Sequence, residues 1–313
     1  MMLTDFKGLP PIGLGTWKIR PEEAYATVLA AGRMGYRHFD CASTYGNEKE
    51  IGEAVRVLIG EGVVRREDLW ITSKLPNTAH RSADVRPALE KSLHDLGLAY
   101  LDLYLVHWPI ALQKGVWIPR KPEHFIPPAA LPLEETWSAM ESVVDAGLAR
   151  HIGVSNFSIP KLAKLEGFRI APEFNQVEMH PFLQQPGMVE YCRVNGIRLT
   201  AYAPLGSGDR PKPLKKKDEP VLLADPVIHQ IAEKHQATPA QILLGWGIQR
   251  GTSVVAKSVN PPRLRENLEA INIHLSSAEM QQIGELDCHH RYVDGSFWAV
   301  PGGPHSMESL WDE

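Results

Sequence analysis

Short apolar runs alternate with longer amphipathic stretches along nearly the whole chain, and no other feature limits its fold as strongly. Residues 36–40, 68–74, 101–107, 150–155, 173–178, 197–202 and 253–256 read as buried strands, and a shorter run at 270–273 is the candidate eighth. Helical patterns lie between them. Over 21–34, Ala24, Tyr25, Val28, Leu29 and Gly32 recur on one face, and Pro21 suits a first helical turn, where its missing N–H costs nothing. Residues 82–96 and 133–146 repeat the pattern.

About eight strand–helix units without a break in composition predict an α/β fold, a (β/α)8 barrel of the TIM type, with residues 1–313 as a single domain. The competing fold is an open doubly wound sheet. It would carry G-x-G-x-x-G after its first strand, whereas here the run at 36–40 leads into Asp40-Cys41-Ala42-Ser43-Thr44-Tyr45-Gly46. Gly13-Leu14-Gly15 supplies only G-x-G, ahead of any such unit. Three segments interrupt the repeat and are expected as active-site loops: 110–132, rich in proline; 206–219; and 288–313, with Phe297, Trp298 and Trp311. The first two begin at carboxyl ends of strands, where such barrels build their sites. The run Lys215-Lys216-Lys217 reads as a solvated loop tip.

Composition narrows the function classes. An apolar content of 43% supports a sizeable core, and a net charge of −4 offers no basic face for nucleic acid. The 3 cysteines are widely spaced and the 13 histidines show no H-E-x-x-H pattern, so neither a disulfide framework nor a metal site is expected. The amino terminus lacks a secretory pattern and no apolar run reaches the roughly 18 residues of a membrane span, so a cytoplasmic enzyme without membrane partners is expected.

Chemistry concentrates at strand ends. Asp40, Lys74 and His107 close three successive strands, 34 and 33 residues apart, and Tyr45 lies five residues beyond Asp40. A barrel brings all four to one rim. Taken singly, the Asp suits a helix cap, the Lys solvent, and the His an ordinary packed position. Together they suit proton transfer. A phenol is a poor acid at neutral pH, and a neighbouring ammonium is expected to lower its pKa. Asp40 would hold Lys74, and His107 would orient a substrate oxygen. Such a site assists a reaction whose hard step belongs to a cofactor.

The order Asp40, Tyr45, Lys74, His107 resembles the catalytic tetrad of the aldo-keto reductases. So do the flanking segments: Gly13-Leu14-Gly15-Thr16-Trp17, the run from Asp40 to Glu48, Leu105-Val106-His107-Trp108-Pro109, Gly153-Val154-Ser155-Asn156-Phe157, Asn175-Gln176-Val177-Glu178-Met179-His180-Pro181 and Ala201 to Ser207. The resemblance spans almost the whole chain. It implies a barrel capped by an amino-terminal hairpin, reducing aldehydes, ketones or aldoses with NADPH (NADH as a secondary donor) and Tyr45 as general acid. It further implies that Tyr202 stacks on the nicotinamide, that Ser155, Asn156 and Gln176 bind its carboxamide, and that Leu205, Ser207 and Asp209 lie along the pyrophosphate. Thr16, Trp17 and Asp40 are implied as further cofactor contacts. Lys257, Ser258, Val259, Asn260 and Arg263 match the 2′-phosphate site, and Glu266 and Asn267 the adenine contacts. Lys257, Arg263 and Arg265 make a basic cluster at the start of a helix, which favours a phosphate, with Arg265 read as an exposed helix residue. One departure is Ala256, where the family often has proline.

Trp17, Tyr45, His107, Trp108 and Trp298 are the expected substrate contacts, and Trp117, Phe125 and Phe297 could complete an apolar funnel. His180 reads as a packed polar residue. The partner is a small carbonyl compound and the family expectation is a monomer. Two other readings stay open: a nucleotide-sensing binding module and a sugar-metabolising barrel without redox chemistry. Turnover on several aldehydes separates the first from an enzyme, and the Lys257–Asn267 cluster argues against the second.

Overall fold

The structure, a computed structural model, describes residues 8–313. Strands β1 (Ile12–Gly15), β2 (His38–Asp40), β3 (Trp70–Leu75) and β4 (Leu101–Val106) are followed by a two-stranded antiparallel insert, β5 (Ala111–Leu112) with β6 (Phe125–Ile126). Then come β7 (Ala149–Ser155), β8 (Phe174–Glu178), β9 (Arg198–Tyr202) and β10 (Ser253–Ala256). Apart from the insert, all are parallel and close into a barrel in the order β1-β10-β9-β8-β7-β4-β3-β2. The helices are α1 (Pro21–Met34), α2 (Glu48–Gly60), α3 (Ser82–Leu96), α4 (Leu133–Asp145), α5 (Ile159–Ala163), α6 (Pro186–Val194), α7 (Pro226–His235), α8 (Pro239–Gln249), α9 (Pro261–Glu269), α10 (Ser277–Gly284) and α11 (Met307–Trp311). Strands β3, β4 and β8 are buried on both faces, as expected when helices cover the outside of a parallel sheet.

Local chemistry sets the boundaries. Helix α1 starts on Pro21 and ends where Gly35 turns left-handed, at φ 113°. Helix α8 opens with a capping box in which Thr238 and Gln241 satisfy each other's backbone N–H groups. Seven predicted strands fall within two residues of the observed ones.

The eighth does not. Residues Ala270–Asn272 form a short 3₁₀ turn after α9, and the barrel is completed by β1, which pairs Ile12 with Val254 and Leu14 with Phe39. Gly13-Leu14-Gly15 is therefore a barrel strand. Its glycine at 13 is a packing requirement: a Cβ there would sit 2.4 Å from His38 Nδ1. The implied hairpin would precede β1, on residues mostly outside those described. Among the described residues, no helix is long and apolar enough to cross a membrane.

Candidate active site

Asp40 ends β2, Lys74 stands one residue from the end of β3, and His107 follows β4 directly, so three strands deliver these side chains to the carboxyl rim. Lys74 is buried, and its ammonium donates to both Asp40 carboxylate oxygens at 2.9 Å, to the Cys41 carbonyl at 2.8 Å and to the Tyr45 hydroxyl at 3.3 Å. Tyr45 belongs to a 3₁₀ turn that closes on Gly46, whose φ of 70° favours glycine. The next two residues fasten that turn. Asn47 donates to the Thr16 and Ile19 carbonyls at 3.0 and 2.8 Å, and Glu48 accepts from Ser73 and Ser92 at 2.5 and 2.9 Å. The His107 ring meets Tyr45 edge-on, with centroids 5.8 Å apart.

Burial governs the protonation states. It pushes the Tyr45 phenol up to about 12; Lys74 pulls in the opposite direction and Asp40 adds to the rise. The expected depression by the ammonium is thus present as a force but outweighed by the loss of water around the ring. Burial also opposes the charge on Lys74, but Asp40 and then Tyr45 more than offset it, so its pKa is raised and the ammonium persists. Burial, with Lys74 and His80 nearby, holds His107 well below the usual imidazole range, leaving a neutral ring that donates from one nitrogen only.

A second line of hydrogen bonds runs around the rim. Gln176 donates to Asp40 at 2.7 Å, Ser155 to the Gln176 carbonyl at 2.9 Å, and Tyr202 to Asn156 Oδ1 at 2.8 Å. Asn156 donates in turn to the His107 carbonyl at 2.9 Å and is held at φ 64°, a conformation asparagine tolerates better than most residues. These groups floor a cleft of about 1370 Å³. One small ligand typically fills roughly 300–1000 Å³, so the cleft has room for two molecules side by side.

Of the residues assigned to the cofactor, all but Thr16 line this cleft. Thr16 is fully buried behind its wall, where its hydroxyl donates to the Asp40 carbonyl at 2.8 Å. Lys74 likewise lies behind the surface, beneath Tyr45 and Asp40. At the far end Asn260 caps α9 by accepting from the Arg263 N–H at 3.1 Å, so the positive end of that helix, Lys257 and Arg263 share one wall. Among the described residues Arg263 has no carboxylate partner, whereas Arg265 is exposed and does not line the cleft. Donors of this kind fit a dinucleotide with a phosphate at that end.

Trp17, Tyr45, His107, Trp108 and Trp298 line the other end, with Trp117 on the rim, 72% exposed. Trp108 packs edge-on against Phe297, Trp298 and Trp311 at 5.7 to 5.9 Å. Phe125 is not part of the funnel: it is buried in β6, packing against His305, and anchors the 110–132 loop instead. His180 is buried and bonded to Glu178 at 2.9 Å. The lysine run is exposed, as expected of a loop tip, while Lys215 donates to the Gly208 carbonyl and Lys216 pairs with Asp294 at 2.9 Å.

Two residues carry contacts for which the sequence assigned no role. Lys18 bonds Ser207 at 3.1 Å and pairs with Asp209, which also meets Lys257 at 3.1 Å, so a strap of side chains crosses the cleft. Glu178 receives the backbone N–H groups of Tyr292 and Val293 at 2.6 and 2.7 Å, fixing the carboxyl-terminal segment. Lys18 stands just past the end of β1 and Glu178 ends β8, and that placement at strand ends was the available signal.

Comparison with known proteins agrees with this geometry. The sequence profile of the Aldo/keto reductase family matches residues 11–287. Aldo/keto reductase slr0942 of Synechocystis is 51% identical over 312 residues, covering 99% of this chain and 95% of that protein. Aldo-keto reductase family 1 member A1 is 44% identical in Rattus norvegicus, over 94% of this chain and 90% of the relative, and 45% in Gallus gallus, over 91% and 88%. With a closed parallel barrel, a four-residue polar cluster at its carboxyl rim and relatives matched along their length, the chain belongs to the aldo/keto reductase family.

Proposed function

We propose that the protein reduces aldehydes, and by the same chemistry ketones or aldoses, to alcohols with NADPH, working as one barrel whose loops 110–132, 206–219 and 288–313 wall the site. One observation carries this reading: a phenol bonded to a buried, charged lysine opens onto a cleft whose far end is basic. The nicotinamide cofactor, when bound, supplies the hydride. Everything else falls to side chains. Ser155, Asn156 and Gln176 hold the carboxamide, Tyr202 backs the ring, and Lys257 with Arg263 takes the 2′-phosphate. His107, neutral, donates to the carbonyl oxygen and fixes its direction. Tyr45 gives that oxygen its proton, and Lys74, held by Asp40, stabilises the charge left on the phenol.

The test is a carbonyl panel followed at 340 nm with NADPH and with NADH. Turnover of aldehydes with preference for NADPH is the expected result. Reversal of that preference would sink the phosphate assignment, and no oxidation of either cofactor would sink the reaction.

A further inference from the structure

Segment 206–219 contributes Ser207 and Asp209 to the strap over the cofactor end of the cleft, and the carboxyl-terminal segment contributes Val293, Phe297 and Trp298 to the substrate wall. They leave different parts of the barrel, yet one side chain joins them. Tyr292 is 4% exposed. Its backbone is pinned to the barrel, with the N–H groups of Tyr292 and Val293 on the two oxygens of Glu178. A buried carboxylate met in this way, with His180 as a third partner, is not easily abandoned by its donors. The side chain reaches the other way. Its hydroxyl donates to the Pro220 carbonyl at 2.9 Å, and the Arg210 guanidinium stands 5.0 Å from its ring centre. The ring also closes on Gly206, where an added Cβ would lie 3.2 Å from it. On the outer side Asp294 and Lys216 make a second link between the same two segments.

We propose that Tyr292 is a positioning residue that makes the cofactor strap and the substrate wall move as one, so that a bound dinucleotide tightens the pocket for the carbonyl compound. A strap that lifts must break the bond to Pro220 and unstack Arg210, or else pull Tyr292 and the adjoining Val293 away from Glu178. Lifting therefore loosens the wall. Coupling of this kind is reciprocal: a ligand against the wall must tighten equilibrium binding of the dinucleotide by the same factor. The inference rests on the cofactor and substrate ends assigned above.

Three variants test it. Tyr292→Phe removes one hydrogen bond and keeps the ring, Tyr292→Leu removes both, and Lys216→Ala cuts the outer link at a side chain 61% exposed, where folding is not at stake. Two quantities are read on each purified protein: NADPH release by stopped-flow fluorescence, and KM for an aromatic aldehyde against a small aliphatic one. In Tyr292→Leu the release rate and the aromatic KM are expected to rise together by about tenfold. Tyr292→Phe and Lys216→Ala should show the same paired rise, about threefold. Hydride transfer to the small aldehyde should stay unchanged, which a general loosening of the fold would not allow. If Tyr292→Leu does not fold, the other two variants carry the test. A rise in one quantity without the other, or in neither, overturns the coupling while leaving the proposed reaction intact. A wild-type protein that neither binds NADPH nor turns over any aldehyde overturns both.

Discussion

A phenol held near pKa 12 gives up its proton only to a stronger base, and the oxygen of a carbonyl receiving hydride becomes one as the reaction proceeds. In the proposed reaction, burial would keep Tyr45 protonated until the proton is needed, and Lys74 would limit the cost of losing it. Tyr45→Phe is expected to lower kcat by about 10²–10⁴-fold, the usual worth of a placed acid, with the NADPH dissociation constant unchanged. Wild-type turnover in a steady-state assay would remove Tyr45 from the role. Asp40, Lys74 and His107 were legible in the sequence because each ends or follows a strand and the strands recur at one βα unit. The balance of forces on Tyr45 was not legible: the lysine could be named, but how far the phenol is withdrawn from water depends on the packing of the folded rim. Phe125 was misplaced for a related reason. An aromatic in a loop reads the same whether it faces a ligand or its own loop, and only the β5–β6 pairing decides.

Elements meet in this barrel through a few small residues. Gly52 in α2 faces the end of α3 so closely that a Cβ would lie 2.3 Å from the Leu96 carbonyl oxygen. Backbone cannot yield there as a side-chain tip can. Gly52→Ala is expected to destabilise the protein by about 1–3 kcal/mol through overpacking, read as a lower urea midpoint with an unchanged slope. An unchanged midpoint would mean that the helices re-seat at no cost. The same economy of side chains explains why β1 went unread. Two of its four residues are glycine, one of them forced by the His38 ring, so it has neither the length nor the β-branched character of its neighbours. The run at 270–273 had more apolar character but closes α9 against α8 instead.

For the molecule as a whole, buried histidines set a limit in acid. His38 and His80 are held neutral by burial down to about 4, against an unfolded value near 6.5. Between those values the unfolded chain binds protons that the folded one refuses, so stability is present near neutrality and is lost as pH falls below about 6.5. Each of the two is expected to cost on the order of 2 kcal/mol between pH 7 and pH 5. Urea unfolding at the two pH values checks this, and a midpoint as high at pH 5 would contradict it.

The barrel closes where β1 meets β10, Ile12 beside Val254, so its first strand waits for its last. A growing chain on the ribosome has strands enough for most of the wall well before it has the one that seals it. Lys257, Arg263 and the start of α9 emerge later still. A ligand stabilises only the form it can bind. The proposed dinucleotide could therefore give this protein no help while it is being made, and its grip on the fold would begin only when synthesis is nearly over.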